Sequence, residues 1–321
     1  MRSSITNFTI GPAALLSMSL LAGCGGSSSA ATVIGFEGDD YTVEAPGLDE
    51  CDEAASTKLS IDPERPLVVI VHGCNASGGR FRALAQVFEA HGQQTVCFNY
   101  DDRERMEETS RQLAFALETV AAHLDPQPVT VLGHSQGGLV SRRALAGKLH
   151  SSEGGIPARY KLVTVSSPFD GIRASSHCAS IGLHVATLGI SALLCQMIAG
   201  DKWNEIHPKS DFMRAPGNLG DAVEEHLVVV TDERDTCRRR NDRNRCVEDD
   251  FVFSVEEQIN DLVEEDDRVA RTLVKAGHVE IVGDEGTPPE KLIEVLQERG
   301  VMEPTPEEKR EEIAALIRRL F

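Results

Sequence analysis

From about residue 60 onward, short unbroken apolar runs alternate with stretches whose apolar positions recur at helical spacing. Leu67 to Val71 is an unbroken aliphatic run between Pro66 and Gly73, which predicts a strand buried on both faces. Thr95–Tyr100, Val129–Leu132, Leu162–Val165 and Leu227–Val230 predict further strands, and Leu273-Val274 a last short one. Between them, Phe81, Leu84, Ala85 and Phe88 share one helical face. Leu113, Leu117, Val120 and Leu124 share another, ended by Pro126, and Leu139–Leu149 predicts a third helix. This alternation predicts an α/β fold, a mostly parallel central sheet with helices on both faces. Two closing helices are expected behind Thr287-Pro288-Pro289-Glu290 and Thr305-Pro306-Glu307-Glu308. Each reads as a Thr-x-x-Glu capping box with proline at the first helical position.

The segment 171–225 breaks the rhythm. Its middle, Ile181 to Ala199, is far more apolar than a water-facing connection requires. A helical cap insertion over the site is the expectation, with an additional core helix as the alternative.

The N-terminus follows a different pattern. Arg2 is followed by an apolar stretch and then by small residues, the pattern of a secretory signal over residues 1–23. Leu21-Ala22-Gly23-Cys24 resembles a bacterial lipobox, which implies lipidation of Cys24 and a lipid anchor in the membrane. Gly25 stands where some inner-membrane lipoproteins carry aspartate, so the resemblance points to the outer membrane. Residues 24–31 are rich in Gly, Ser and Ala and read as a tether, leaving 32–321 for the folded domain. Export implies an oxidising compartment. Of eight cysteines, Cys24 is set aside for lipid, so at least one of the rest is expected to stay unpaired. Cys237 and Cys246 flank a short polar loop and are expected to pair, as are Cys178 and Cys195. Cys51, Cys74 and Cys97 compete for a third bridge.

Composition narrows the function. With 41% hydrophobic and 26% charged residues the chain is neither disordered nor polytopic in a membrane. A formal net charge of −19 argues against nucleic acid as a partner. No His/Cys cluster has zinc spacing and no acidic loop has the EF-hand pattern, so neither metal nor cofactor is expected.

The chemistry centres on Gly133-His134-Ser135-Gln136-Gly137, a G-x-S-x-G between the strand 129–132 and a helix beginning near Gly138. A strand turning sharply into a helix puts Ser135 on strained backbone, with Oγ clear of the sheet at the positive end of the helix. The backbone N–H of Gln136 would then face an oxyanion. A serine hydroxyl needs a base. His278, in Ala276-Gly277-His278-Val279-Glu280 just after the last strand, is the expected one, with Gly277 free to aim its ring. His72 and His134 read as packing or hydrogen-bonding residues beside the loops. Asp232 and Asp235 lie just beyond the strand 227–230 and are candidates for the acid.

These motifs together resemble the α/β-hydrolase lipases and esterases. The resemblance spans roughly residues 60–300 and rests on Val69-Ile70-Val71-His72-Gly73, the Ser135 motif, Ser166-Ser167-Pro168-Phe169-Asp170-Gly171 and Gly277-His278-Val279-Glu280. More narrowly the chain is similar to bacterial lipases related to GPI-inositol deacylases. That likeness implies that the residue after Gly73, here Cys74, gives the second oxyanion N–H. It also matches Asp249–Gln258 to a lipase stretch, S-D-G-V-V-S-V-E-S-Q, whose aspartate is the acid. Asp250 holds that position, with Phe251 in place of a glycine. Asp250 is therefore the expected acid, Asp235 the alternative, and Asp232 or Asp249 the remaining choices. The implied activity is hydrolysis of carboxylic esters or lipids without a cofactor. Acyl transfer or thioester cleavage on the same residues, and an inactive surface-binding lipoprotein of this fold, are the rivals. Oligomeric state is not legible.

Overall fold

The computed structural model describes residues 33–37, 40–52, 58–74, 76–124, 128–147, 158–173 and 202–321. The expected signal peptide and tether, the Ile181–Ala199 run and the Cys178/Cys195 pair lie outside these residues.

The first two strands, β1 (Val33–Glu37) and β2 (Asp40–Glu44), form an antiparallel three-stranded sheet with β4 (Lys58–Ile61). In β4 the burial alternates, with Leu59 and Ile61 inward and Lys58 and Ser60 outward. A pattern this short carries little signal in sequence.

The main sheet has seven strands. They are β3 (Leu48–Asp49), β5 (Leu67–Val71), β6 (Gln94–Phe98), β7 (Val129–His134), β8 (Tyr160–Val165), β9 (Val223–Thr231) and β12 (Val269–Val274), in the order β12-β9-β8-β7-β5-β6-β3. All neighbours are parallel except β3 against β6. A further antiparallel hairpin, β10 (Cys237–Arg240) and β11 (Cys246–Asp249), projects between β9 and β12 in the chain.

Helices cover both faces, as a doubly buried sheet requires. Leu67, Val69 and Val71 of β5 join a core with Leu113, Leu117 and Val120 of α2 (Met106–Ala121) and Leu139 and Val140 of α3 (Gln136–Ala144). Val68 and Ile70, pointing the other way, join Leu84 and Phe88 of α1 (Arg82–Ala90). The short helices α4 (Trp203–Ile206), α5 (Asp211–Arg214), α6 (Val255–Gln258) and α7 (Asp261–Glu264) follow. Next come α8 (Glu290–Glu298), with Leu292 and Leu296 in the second core, and α9 (Arg310–Leu320).

Both closing helices exist, but neither has the expected capping box. α8 starts only at Glu290, because Thr287 is tied into a bridge with Asp284. Thr305 Oγ1 receives Gln297 Nε2 at 3.0 Å and lies 3.0 Å from His91 Nε2, so tertiary contacts occupy the hydroxyl. The capping box that does form is Ser254/Glu257, at the start of α6.

The structure pairs Cys237 with Cys246, as expected, and settles the three-way competition as Cys51–Cys97. Cys97 lies on β6 opposite Asp49, two residues before Cys51, whereas Cys74 leaves the end of β5 toward Ser135 and keeps a thiol.

Candidate active site

β7 runs to His134 and α3 begins at Gln136, so Ser135 alone makes the turn. Its φ of 57° and ψ of −125° lie where side chains are strained. The turn closes because its neighbours are glycines. A Cβ on Gly137 would stand 2.2 Å from the Val71 carbonyl oxygen, and one on Gly133 2.5 Å from that of Gly137. A Cβ on Gly73 would stand 2.8 Å from Ser135 Cβ, so the Gly73-Cys74 loop packs directly on the serine.

Ser135 and His278 line one pocket, together with Gly73, Cys74, Phe81 and Val252. Phe253 meets the His278 ring edge-on at 4.9 Å between centroids. His134 Nε2 lies 2.9 Å from the His278 carbonyl oxygen, and burial holds the His134 pKa well below its usual value, which keeps that ring neutral. His72 is buried beside the same loop. Its Nδ1 sits 2.8 Å from the Gly73 carbonyl and its ring stacks on Tyr100.

The partner of His278 differs from every candidate read from the sequence. Glu233 Oε1 lies 2.9 Å from His278 Nδ1, and both side chains are buried. The same oxygen accepts from Thr231 Oγ1 at 2.9 Å. Oε2 accepts from the backbone N–H groups of Val252 and Phe253 at 2.6 and 2.8 Å. Buried polar oxygens need such partners, since burying one unpaired is costly.

Asp250, the expected acid, is buried but does not reach the ring. Its carboxylate accepts from the N–H groups of Val279, at 3.0 and 3.1 Å to its two oxygens, and Glu280, at 2.9 Å. Its carbonyl accepts from His278 N–H at 2.9 Å. Burial pushes its carboxyl pKa up, and these N–H groups oppose the rise. A Cβ on Gly277 would stand 2.0 Å from Asp250 Oδ2, so the glycine admits this contact. Asp250 thus anchors the loop that carries His278. Asp232 is paired with Arg234 at 2.7 Å. Asp235 and Asp249 are exposed and contact neither His278 nor Ser135 among the described residues. Glutamate satisfies the same role as aspartate and lies two residues past β9, so chain position could have found it. The resemblance of the 249–258 stretch to a lipase sequence points past it, to Asp250. That stretch does belong at the site, through the backbone of Val252 and Phe253 and the side chain of Asp250.

Sequence reasoning also missed Lys202. Its ammonium group is fully buried, 2.8 Å from Gln136 Oε1 and 3.0 Å from Cys74 Sγ, with Asp102 Oδ2 at 3.7 Å. The Cys74 thiol donates to the same Gln136 oxygen at 2.6 Å. Burial pushes this thiol's pKa up, against the pull of Lys202, and keeps it protonated. Lys202 is held there because Glu205, one turn on, accepts the N–H of Met106 at 2.5 Å and so caps α2. A lone lysine in an unplaced connection carries no sequence signal. Among the described residues no group of three or more His, Cys, Asp or Glu side chains is arranged to hold a metal ion.

A seven-stranded, mostly parallel sheet with helices on both faces and a strained serine between its central strand and a helix defines an α/β-hydrolase fold. A sequence profile described as alpha/beta hydrolase fold matches residues 66–152, from β5 through α3. Among solved structures, the mature Bacillus licheniformis lipase BlEst2 is similar at 14% identity and a TM-score of 0.47, covering 74% of this chain and 92% of that one. The Thermogutta terrifontis esterase Est2 is similar at 13% identity and a TM-score of 0.45, over 84% and 90%. Esterase B from Lactobacillus rhamnosis is similar at 10% identity and a TM-score of 0.45, over 83% and 90%. No curated protein matches the chain by sequence.

Proposed function

We propose that the protein is a serine hydrolase of carboxylic esters, a lipase or esterase working through an acyl-enzyme. The observation that carries this reading is the buried Glu233–His278 pair on the pocket that also holds Ser135 at its strained turn. Ser135 Oγ attacks the acyl carbon and His278 Nε2 takes its proton. Glu233 fixes the tautomer with the proton on Nδ1 and stabilises the imidazolium. The backbone N–H groups of Cys74 and Gln136 receive the oxyanion. His278 then protonates the leaving alcohol, and a water activated by the same ring releases the acid. The acid in this scheme departs from the narrower resemblance to lipases related to GPI-inositol deacylases. Export and anchoring through a lipidated Cys24 complete the reading, supported by the Leu21-Ala22-Gly23-Cys24 pattern alone.

The test is covalent labelling. A fluorophosphonate probe is expected to attach at Ser135 in the parent and not in Ser135→Ala, read by peptide mass. Unlabelled parent protein, or label on another residue, would overturn the reading.

Within this scheme Lys202 is a positioning residue. It fixes the side chains of the two residues whose N–H groups receive the oxyanion, and it brings a positive charge behind them. Lys202→Met is expected to lower kcat about tenfold or more with KM nearly unchanged, less than the hundred- to thousandfold of losing a direct oxyanion donor. Steady-state kinetics check the split, since a general loosening of the fold would move KM and Tm as well.

A further inference from the structure

We propose that the disulfide-closed hairpin β10–β11 docks on an anionic lipid surface and sets the active-site mouth against it. The inference goes beyond ester hydrolysis and does not depend on it.

The charge distribution is the first observation. The chain carries a net charge of −19, yet residues 234–245 hold six arginines against two acids, Asp235 and Asp242. Those at the base are neutralised. Arg234 binds Asp232 through two nitrogens, at 2.7 and 2.8 Å. Arg238 is shared between Asp284 and Glu248, and Arg239 meets Glu248 at 3.0 Å. The tip is different. Arg240, Arg243 and Arg245 are exposed, and among the described residues none has a carboxylate within ion-pair distance. Arg240 donates to the Asn244 carbonyl at 3.2 Å. Three guanidiniums against Asp242 alone make a local cationic point on an acidic protein. Guanidinium forks match phosphate oxygens.

The second observation is order. The Cys237–Cys246 bridge ties the strands together. At the tip, Asn241 Oδ1 accepts the N–H groups of Arg243 and Arg245, both at 3.0 Å. A pre-shaped tip loses little freedom on docking.

The third is apolar surface beside the charge. Val247 on β11 is 54% exposed and Phe251, two residues past the strand, 37%. Arginines flanked by exposed apolar side chains suit an interface in which acyl chains lie beneath phosphates. A nucleic acid offers phosphates but no acyl layer beneath them for Val247 and Phe251 to enter. The fourth observation is placement, because Arg238 and Val252 line the pocket of Ser135 and His278. A membrane seated on the hairpin therefore lies at the entrance. No helix among the described residues is long and apolar enough to cross a membrane.

The experiment is sedimentation of the full chain with vesicles of phosphatidylcholine and of phosphatidylcholine mixed with phosphatidylglycerol. The quantity read is the ratio of the two partition coefficients, in which any contribution of the N-terminal segment cancels. Each arginine near an anionic surface contributes about fivefold. Reversing all three, Arg240→Glu, Arg243→Glu and Arg245→Glu, is expected to lower the ratio by on the order of a hundredfold or more, and high salt should lower the parent's ratio. The Arg→Gln triple at the same positions should give a smaller loss and guards against misfolding caused by reversed charge. Both triples should turn over a soluble p-nitrophenyl ester at the parent's rate, so failure of docking and failure of the ester reading remain distinct. A parent ratio near one, ratios unchanged in both triples, or equal retention on duplex DNA would overturn the proposal.

Discussion

A Glu233→Gln variant is expected to lose about three to four orders of magnitude in kcat on a p-nitrophenyl ester, with the fold intact. Gln keeps the size of Glu233 but can present an N–H to His278 Nδ1. The imidazole then carries its proton on Nε2 and can no longer accept one from Ser135, and the imidazolium loses its counter-charge. Some stability should also go, because the amide nitrogen facing His278 replaces Glu233 Oε1 and cannot accept from Thr231 Oγ1 as that oxygen does, while the amide oxygen keeps the N–H groups of Val252 and Phe253. Asp250→Asn provides the contrast. Asp250 contacts the N–H groups of Val279 and Glu280 rather than the ring, and an Asn oxygen can still accept one or both of them. Its activity loss should be about tenfold to a hundredfold, following the looser placement of His278 rather than a reversed tautomer. Steady-state kinetics on the two variants decide the assignment. A dead Asp250→Asn beside an active Glu233→Gln would restore aspartate as the acid.

Replacing Ser135 should abolish turnover by about five to six orders of magnitude, since nothing else in the pocket replaces the nucleophile. Its effect on stability should depend on the substituent. At φ 57° and ψ −125° any Cβ is strained, whereas glycine reaches this conformation freely. Ser135→Gly is therefore expected to be more stable than Ser135→Ala by about 1 kcal/mol, and at least as stable as the parent. Thermal denaturation of the three proteins measures it. Equal stability of the Gly and Ala variants would mean that the backbone at Ser135 relaxes and stores no strain.

The sequence by itself determined what depends on neighbouring residues. Unbroken aliphatic runs such as Leu67–Val71 can only be buried on both faces, so β5, β7 and β8 were legible almost to their ends, whereas the helix read as Leu139–Leu149 runs Gln136–Ala144. The serine turn was legible because its glycines are dictated by contacts with residues close in the chain and with the adjoining strand. The Cys237–Cys246 bridge spans only nine residues and could be read from proximity. The tertiary structure alone decided what depends on where distant segments return. Cys97 took Cys51 rather than Cys74 because β6 pairs with β3. The closing helices lost their threonine caps because Thr287 and Thr305 were claimed by bonds outside their helices. Five acids, Asp232, Glu233, Asp235, Asp249 and Asp250, stand near the expected position in the chain, and chemistry alone does not rank them. Only the fold turns Glu233 inward onto His278, 45 residues away, and leaves Asp250 to hold the histidine's loop. Lys202 reaches Cys74 across 128 residues, a contact that no local pattern encodes, because side-chain direction there is set by the packing of α4 against α2.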